Sequence, residues 1–191
     1  QETDSSIFDS IRNPNTYSIN NFMILDQSTR RNLELTETLR GTYEHGSLLS
    51  IIDRTVTPMG KKRIYKWINQ PLTNAESINR RLDAVEFFFN DGLLRIELQN
   101  LIKNFSDIER ITNRINTLHA TPRDLISLRE TLMKTPEVLS MLKEKISLIN
   151  INNTQLEICE LELELIQESI SDEPPATLQH IGVIKEGFST A

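Results

Sequence analysis

The chain has 191 residues, 38% of them hydrophobic and 25% charged, with a formal net charge of -6. That is enough apolar material to bury a core as one domain, and no apolar run approaches the ~20 residues of a membrane-spanning helix. The single Cys159 excludes an internal disulfide, and His45, His119 and His180 are too scattered for a metal-ligand spacing.

The opening QETDSSIFDS lacks a basic-then-apolar signal pattern, so a soluble intracellular (cytoplasmic) protein is expected. Residues 1–16 read as the end of a connector from a preceding domain, closing on the breaker-rich Arg12-Asn13-Pro14-Asn15. Residues 17–25 and 32–35 are the plausible strands, short enough for a small β-ribbon over 17–35. From there on the pattern is helical, with a helical core over 46–171 and an extended segment over 172–191.

The helix starts are legible. Thr57 is placed to accept a backbone hydrogen bond while Pro58 takes the first helical position, where its missing N–H costs nothing. Gly60, Ile64, Trp67 and Ile68 then share one face, with Lys61, Lys62 and Lys66 outside it. Thr73-Asn74-Ala75-Glu76 and Ser106-Asp107-Ile108-Glu109 read as capping boxes, followed by the stripes Ile78, Leu82, Val85, Phe89 and Ile108, Ile111, Ile115, Leu118. Thr121-Pro122 opens a helix carrying Leu125, Leu128 and Leu132, which Pro136 is expected to restart. Leu156, Cys159, Leu163, Ile166 and Ile170 are spaced as a coiled-coil seam, which Pro174-Pro175 closes.

The acidic balance argues against a dedicated nucleic-acid binder. Even so, Lys61, Lys62, Arg63 and Lys66 lie in a stretch without an acidic residue and form a candidate surface for a DNA backbone or a neighbouring domain. Gly60-Lys61 is not a phosphate loop, because Thr55 stands where a second glycine is needed and Lys62 where a Ser or Thr is needed. No Ser/His/Asp or Cys/His set can be argued, so catalysis is not expected. Of the clustered Phe87, Phe88 and Phe89, at least one must serve a contact outside one core face.

The ordered blocks Leu25-Asp26 with Thr29-Arg30-Arg31-Asn32-Leu33-Glu34-Leu35, Arg54-Thr55-Val56-Thr57-Pro58-Met59-Gly60, Arg81-Leu82-Asp83-Ala84-Val85-Glu86, Asp107-Ile108-Glu109-Arg110 and Thr121-Pro122-Arg123-Asp124-Leu125 resemble the core, or lever, domain of the MutS mismatch-repair family. So do Asp172-Glu173-Pro174-Pro175 and Gly182-Val183-Ile184-Lys185-Glu186-Gly187, and the resemblance covers residues 17–191. It implies an all-α fold and a non-catalytic module joining a DNA-holding clamp to an ATPase. No cofactor is implied in this stretch. The parent would use ATP and magnesium and act on mismatched double-stranded DNA as a homodimer or with a paralogue, alongside downstream mismatch-repair factors. It also implies that the chain leaves for the clamp and returns, so that the seam at Leu156, Cys159, Leu163, Ile166 and Ile170 is left open and supports self-association. Hinges are expected at Arg54-Thr55-Val56-Thr57, Gln70-Pro71 and Ala120-Thr121-Pro122. The alternative is a stand-alone helical scaffold that binds partner proteins through exposed apolar stripes.

Overall fold

The computed structural model describes residues 21–39, 46–143, 158–175 and 181–188. The expected connector, the start of the expected ribbon, and Leu156 lie outside the described residues. Among the described residues there are eight helices: α1 (Gln27–Asn32), α2 (Leu48–Ile52), α3 (Pro58–Asn69), α4 (Ala75–Asn90), α5 (Gly92–Ile102), α6 (Ile108–Asn116), α7 (Pro122–Leu142) and α8 (Glu160–Ser169). The all-α expectation holds. None of these helices is long and apolar enough to cross a membrane.

The ribbon is not seen among the described residues. Asp26 accepts from Thr29 N at 2.6 Å and starts α1, which runs to Asn32 where a strand was expected. Phe22 pairs instead with Leu72 in an isolated antiparallel bridge, flanked by bonds from Met23 N to Pro71 O and from Thr73 N to Asn21 O. Glu34 turns the chain at φ 48°, and its carboxylate accepts from Leu39 N at 2.7 Å.

Side-chain caps set most of the remaining starts. Thr57 accepts from Gly60 N at 3.0 Å and Thr121 caps α7, both helix starts as expected, and Thr121 also forms a reciprocal box with Asp124 that was not anticipated. The other two caps sit one residue later than expected, at Asn74 and Asp107. Asp91 ends α4 and caps α5 in one turn, which makes α4 and α5 a hairpin, and the Arg95 guanidinium ties it by donating to the Phe88 and Phe89 carbonyls.

α7 is the centre of the packing, touching α5, α6 and α8. At 1.5 Å per residue its 21 residues span roughly 31 Å. Pro136 does not restart it. The proline removes one backbone donor, yet α7 continues to Leu142, and the Thr135 hydroxyl donates to Thr131 O at 3.0 Å just upstream. The buried core joins Ile111 of α6, Leu128 and Leu132 of α7, Ile166 of α8, and Ile170 and Val183 beyond it. The buried Thr131 hydroxyl is satisfied twice, accepting from Ser106 N and donating to Ser127 O. α8 ends at Ser169, before the prolines, because Ile170 leaves it to bridge Ile184.

Candidate functional site

Lys61, Lys62, Arg63 and Lys66 are all exposed along α3, and the structure gives them different neighbours. Lys62 reaches across to α6, with Nζ 2.6 Å from Asp107 and 3.9 Å from Glu109. Lys66 lies in the last turn of α3, where a cation complements the helix dipole, and Lys61 lends favourable charge to Asp53. Arg63 sits 5.9 Å from the Trp67 ring centroid, and a residue not singled out as a site, Arg81 of α4, sits 4.3 Å from the same ring. The Arg63 to Trp67 spacing on one helix was visible in the sequence; the arrival of Arg81 from the next helix was not.

Two buried aspartates tie the helices together. Asp107 accepts from Arg110 N at 3.1 Å, capping α6, while holding Lys62 of α3. The Lys62 hydrogen bond is the main reason its carboxyl lies below the usual range; burial opposes the shift, and the Arg110 amide adds to it. Asp124 accepts from the Thr121 amide at 2.9 Å and hydroxyl at 2.7 Å, and faces Arg114 at 3.2 Å and Arg110 at 3.6 Å. Burial is the largest influence on Asp124 and pushes its carboxyl up, but the Thr121 bonds and the two guanidiniums together hold it low. Farther along, Arg129 of α7 meets Asp172 at 2.7 Å, and Lys185 donates to Gln167 O at 2.8 Å.

These bonds bear on the expected hinges. The 120–122 break is clamped by the Thr121–Asp124 box and by the Arg114 guanidinium donating to His119 O. The 54–57 break is held by Asp53, which accepts from both the amide and hydroxyl of Thr55. Pro71 O accepts from Met23 N, fastening the third.

The seam expectation needs correction. Ile166 and Ile170 are buried in the chain's own core and Leu163 packs against it, so these residues do not form an open stripe. Cys159 precedes the helix at φ 54° and is exposed; the apolar side chains that α8 does show to solvent are Leu161 and Leu165. The reason is supply: α8 is needed to cover Ile111, Leu128 and Leu132. Among the described residues, a four-residue apolar stripe stays open on α4. Leu82 is 57% exposed, Val85 59% and Phe89 76%, whereas Ser77, Ala84, Phe87 and Phe88 on the opposite face are half-buried.

Gly60 N is already bonded to Thr57, and Lys62 is committed to Asp107. A cleft of about 420 Å³ between α1, the 36–39 loop and α3 is lined by Arg30, Arg31, Glu37, Tyr65 and Asn69 among others. Among the described residues no group of three or more His, Cys, Asp or Glu is placed to hold a metal ion.

The family model for MutS domain III matches residues 28–186, most of the chain. The chain belongs to the MutS domain III family. It is 44% identical over 176 residues to the DNA mismatch repair protein MutS of Alkaliphilus oremlandii, covering 92% of this chain and 20% of that protein. It is 41% identical over 180 residues to the MutS of Acetivibrio thermocellus, covering 94% and 21%. With the MutS of Halothermothrix orenii it shares 38% identity over 192 residues, covering 100% and 21%. The chain thus spans about a fifth of the length of the curated relatives it matches.

Seen as a MutS domain III, the chain places most of its family-like blocks at structural junctions. Thr29 to Asn32 fall in α1, Thr57 to Gly60 start α3, Asp107 to Arg110 start α6, and Thr121 to Leu125 start α7. The Arg81 to Glu86 block lies within α4 and carries both the Trp67 contact and part of the open stripe.

Proposed function

We propose that this MutS domain III is a non-catalytic lever within a DNA mismatch-repair protein, passing motion between a DNA-holding clamp and an ATPase in the rest of the polypeptide. The observation that carries this reading is the chain of buried-carboxylate ties, Lys62 to Asp107 and then Arg110 and Arg114 to Asp124, which joins α3 and α6 to the long α7. Helices joined by caps and ion pairs move together, and a rigid element roughly 31 Å long transmits displacement. On this reading ATP, magnesium, mismatched duplex, a second subunit or paralogue, and downstream repair factors all belong to the whole protein, which works inside the cell on DNA.

Two measurements test it. In fluorescence anisotropy the 191-residue chain should bind duplex weakly, lose that binding with salt, and not distinguish matched from mismatched DNA. A mismatch preference in the chain alone would sink the division of labour. The second places this chain in the matching segment of the Alkaliphilus oremlandii relative. The chimera should keep mismatch-stimulated ATP hydrolysis, and Asp107→Ala in it should weaken that stimulation while DNA binding and basal hydrolysis persist. Stimulation indifferent to Asp107→Ala would refute the lever.

A further inference from the structure

Trp67 is the chain's single tryptophan, and two guanidiniums from two helices converge on it. Both distances lie within the range of cation–π attraction, which uses the ring face and leaves the N–H donors at the guanidinium edges free for other partners. Among the described residues neither Arg63 nor Arg81 meets a carboxylate or a hydrogen-bond acceptor. Burial and the nearby charge of Arg63 both disfavour the charged form of Arg81, so two like charges are held close together. An oxyanion accepting from these edges would relieve that repulsion, and a carboxylate matches the planar fork of a guanidinium.

The surroundings decide which oxyanion. At 100° per residue, Arg81 lies on one edge of the open stripe of Ile78, Leu82, Val85 and Phe89, and Glu86 lies on the other. Glu76 and Asp83, also exposed, lie on the side of α4 away from the stripe. A duplex backbone laid along this stripe would bring its phosphates against Glu86, whereas an apolar helix with an acid on one edge meets leucines with leucines and charge with opposite charge. A helix that is apolar on two faces, as α4 is, ordinarily has both covered.

We propose that the Arg63–Trp67–Arg81 cluster is the receptor for a carboxylate side chain carried by an amphipathic protein helix that docks on the outer stripe of α4. The inference stands apart from the lever reading, which uses the ties of Asp107 and Asp124.

Trp67 is the reporter for the test. The probe is a designed amphipathic helical peptide of about 15 residues with leucines at helical spacing and one flanking Glu, made also with Gln and with Lys at that position. Titrated against the 191-residue chain, the Glu peptide should change Trp67 fluorescence saturably and bind about tenfold tighter than the Gln peptide, with the Lys peptide weakest. Arg81→Gln should erase the difference between the Glu and Gln peptides. Because Arg81 also stacks on Trp67, Leu82→Glu at an exposed position serves as the second variant: it should abolish binding of every peptide without moving the urea midpoint. Equal binding of the Glu and Lys peptides overturns the proposal, as does no fluorescence change with any peptide up to about 1 mM. Displacement of the Glu peptide by a DNA duplex would make the cluster a phosphate receptor and likewise overturn it.

Discussion

Asp107→Ala removes two interactions at once, and the structure allows each to be weighed. The first is the cap on Arg110 N; replacing an aspartate cap by alanine costs about 1 kcal/mol, within a range of 0.5–2. The second is the 2.6 Å contact with Lys62. Asp107 is only 7% exposed, but Lys62 is 54% exposed and regains water when its partner goes, so the discounted value for a surface pair, about 0.2–1 kcal/mol, applies. The sum is about 1.2–2 kcal/mol, which at a urea dependence of about 2.5 kcal/mol per molar lowers the unfolding midpoint by roughly 0.5–0.8 M. Asp107→Asn separates the two. Asparagine caps as well as aspartate, so only the ion pair is lost and the midpoint should fall by less than about 0.4 M. Lys62→Met should match Asp107→Asn. Urea unfolding of the three variants decides the matter: if Asn is as damaging as Ala, or Lys62→Met exceeds Asp107→Ala, the cap contributes less than the ion pair and the reasoning is refuted.

Acid should weaken the fold through Asp107 and Asp124, both held below the ordinary value of 3.8. A carboxyl lowered on folding contributes stability that is fully present above its unfolded value and is lost as pH falls through the folded one. Urea midpoints should therefore drop below about pH 4, and less steeply in Asp107→Asn/Asp124→Asn; parallel declines would contradict this. Gly60→Leu should destabilise by about 1–3 kcal/mol, less up to about 1 from helix propensity, with a lowered urea midpoint. The obstacle is not a neighbouring helix, since a Cβ there would lie 3.0 Å from the Thr57 hydroxyl that caps α3 and 3.2 Å from Thr55 Cβ. On α8, Leu163→Glu should lower the thermal midpoint by placing a charge against the core, while Leu161→Glu leaves it unchanged; equal effects would mean that α8 is rotated so that Leu163 does not face Ile111 and Leu128.

Where a helix begins was largely readable from the chain itself, because capping is decided within four residues. Thr57-Pro58 and Thr121-Pro122 start α3 and α7 as read, and the two misplaced boxes erred by one position: Asn74 is a better cap than Thr73, and Asp107 caps while the Ser106 amide is held by Thr131. Pairings between segments were not readable. Phe22 meets Leu72 across an intervening stretch, and Lys62 finds Asp107 on a helix far along the chain; neither choice leaves a local mark. Pro136 was expected to restart the helix, but the packing of α7 against three helices holds the turn despite the missing donor. The apolar stripes show the division most clearly. Period alone identified Ile78, Leu82, Val85 and Phe89, and Leu163, Ile166 and Ile170, as apolar rows, yet could not say which is covered. The tertiary structure turned Ile166 and Ile170 onto Ile111 and Leu128, and turned α4 so that Phe87 and Phe88 face inward and Leu82 and Phe89 face out. A helix with two apolar faces carries no local preference between them, so the choice falls to whichever face the neighbouring elements can bury.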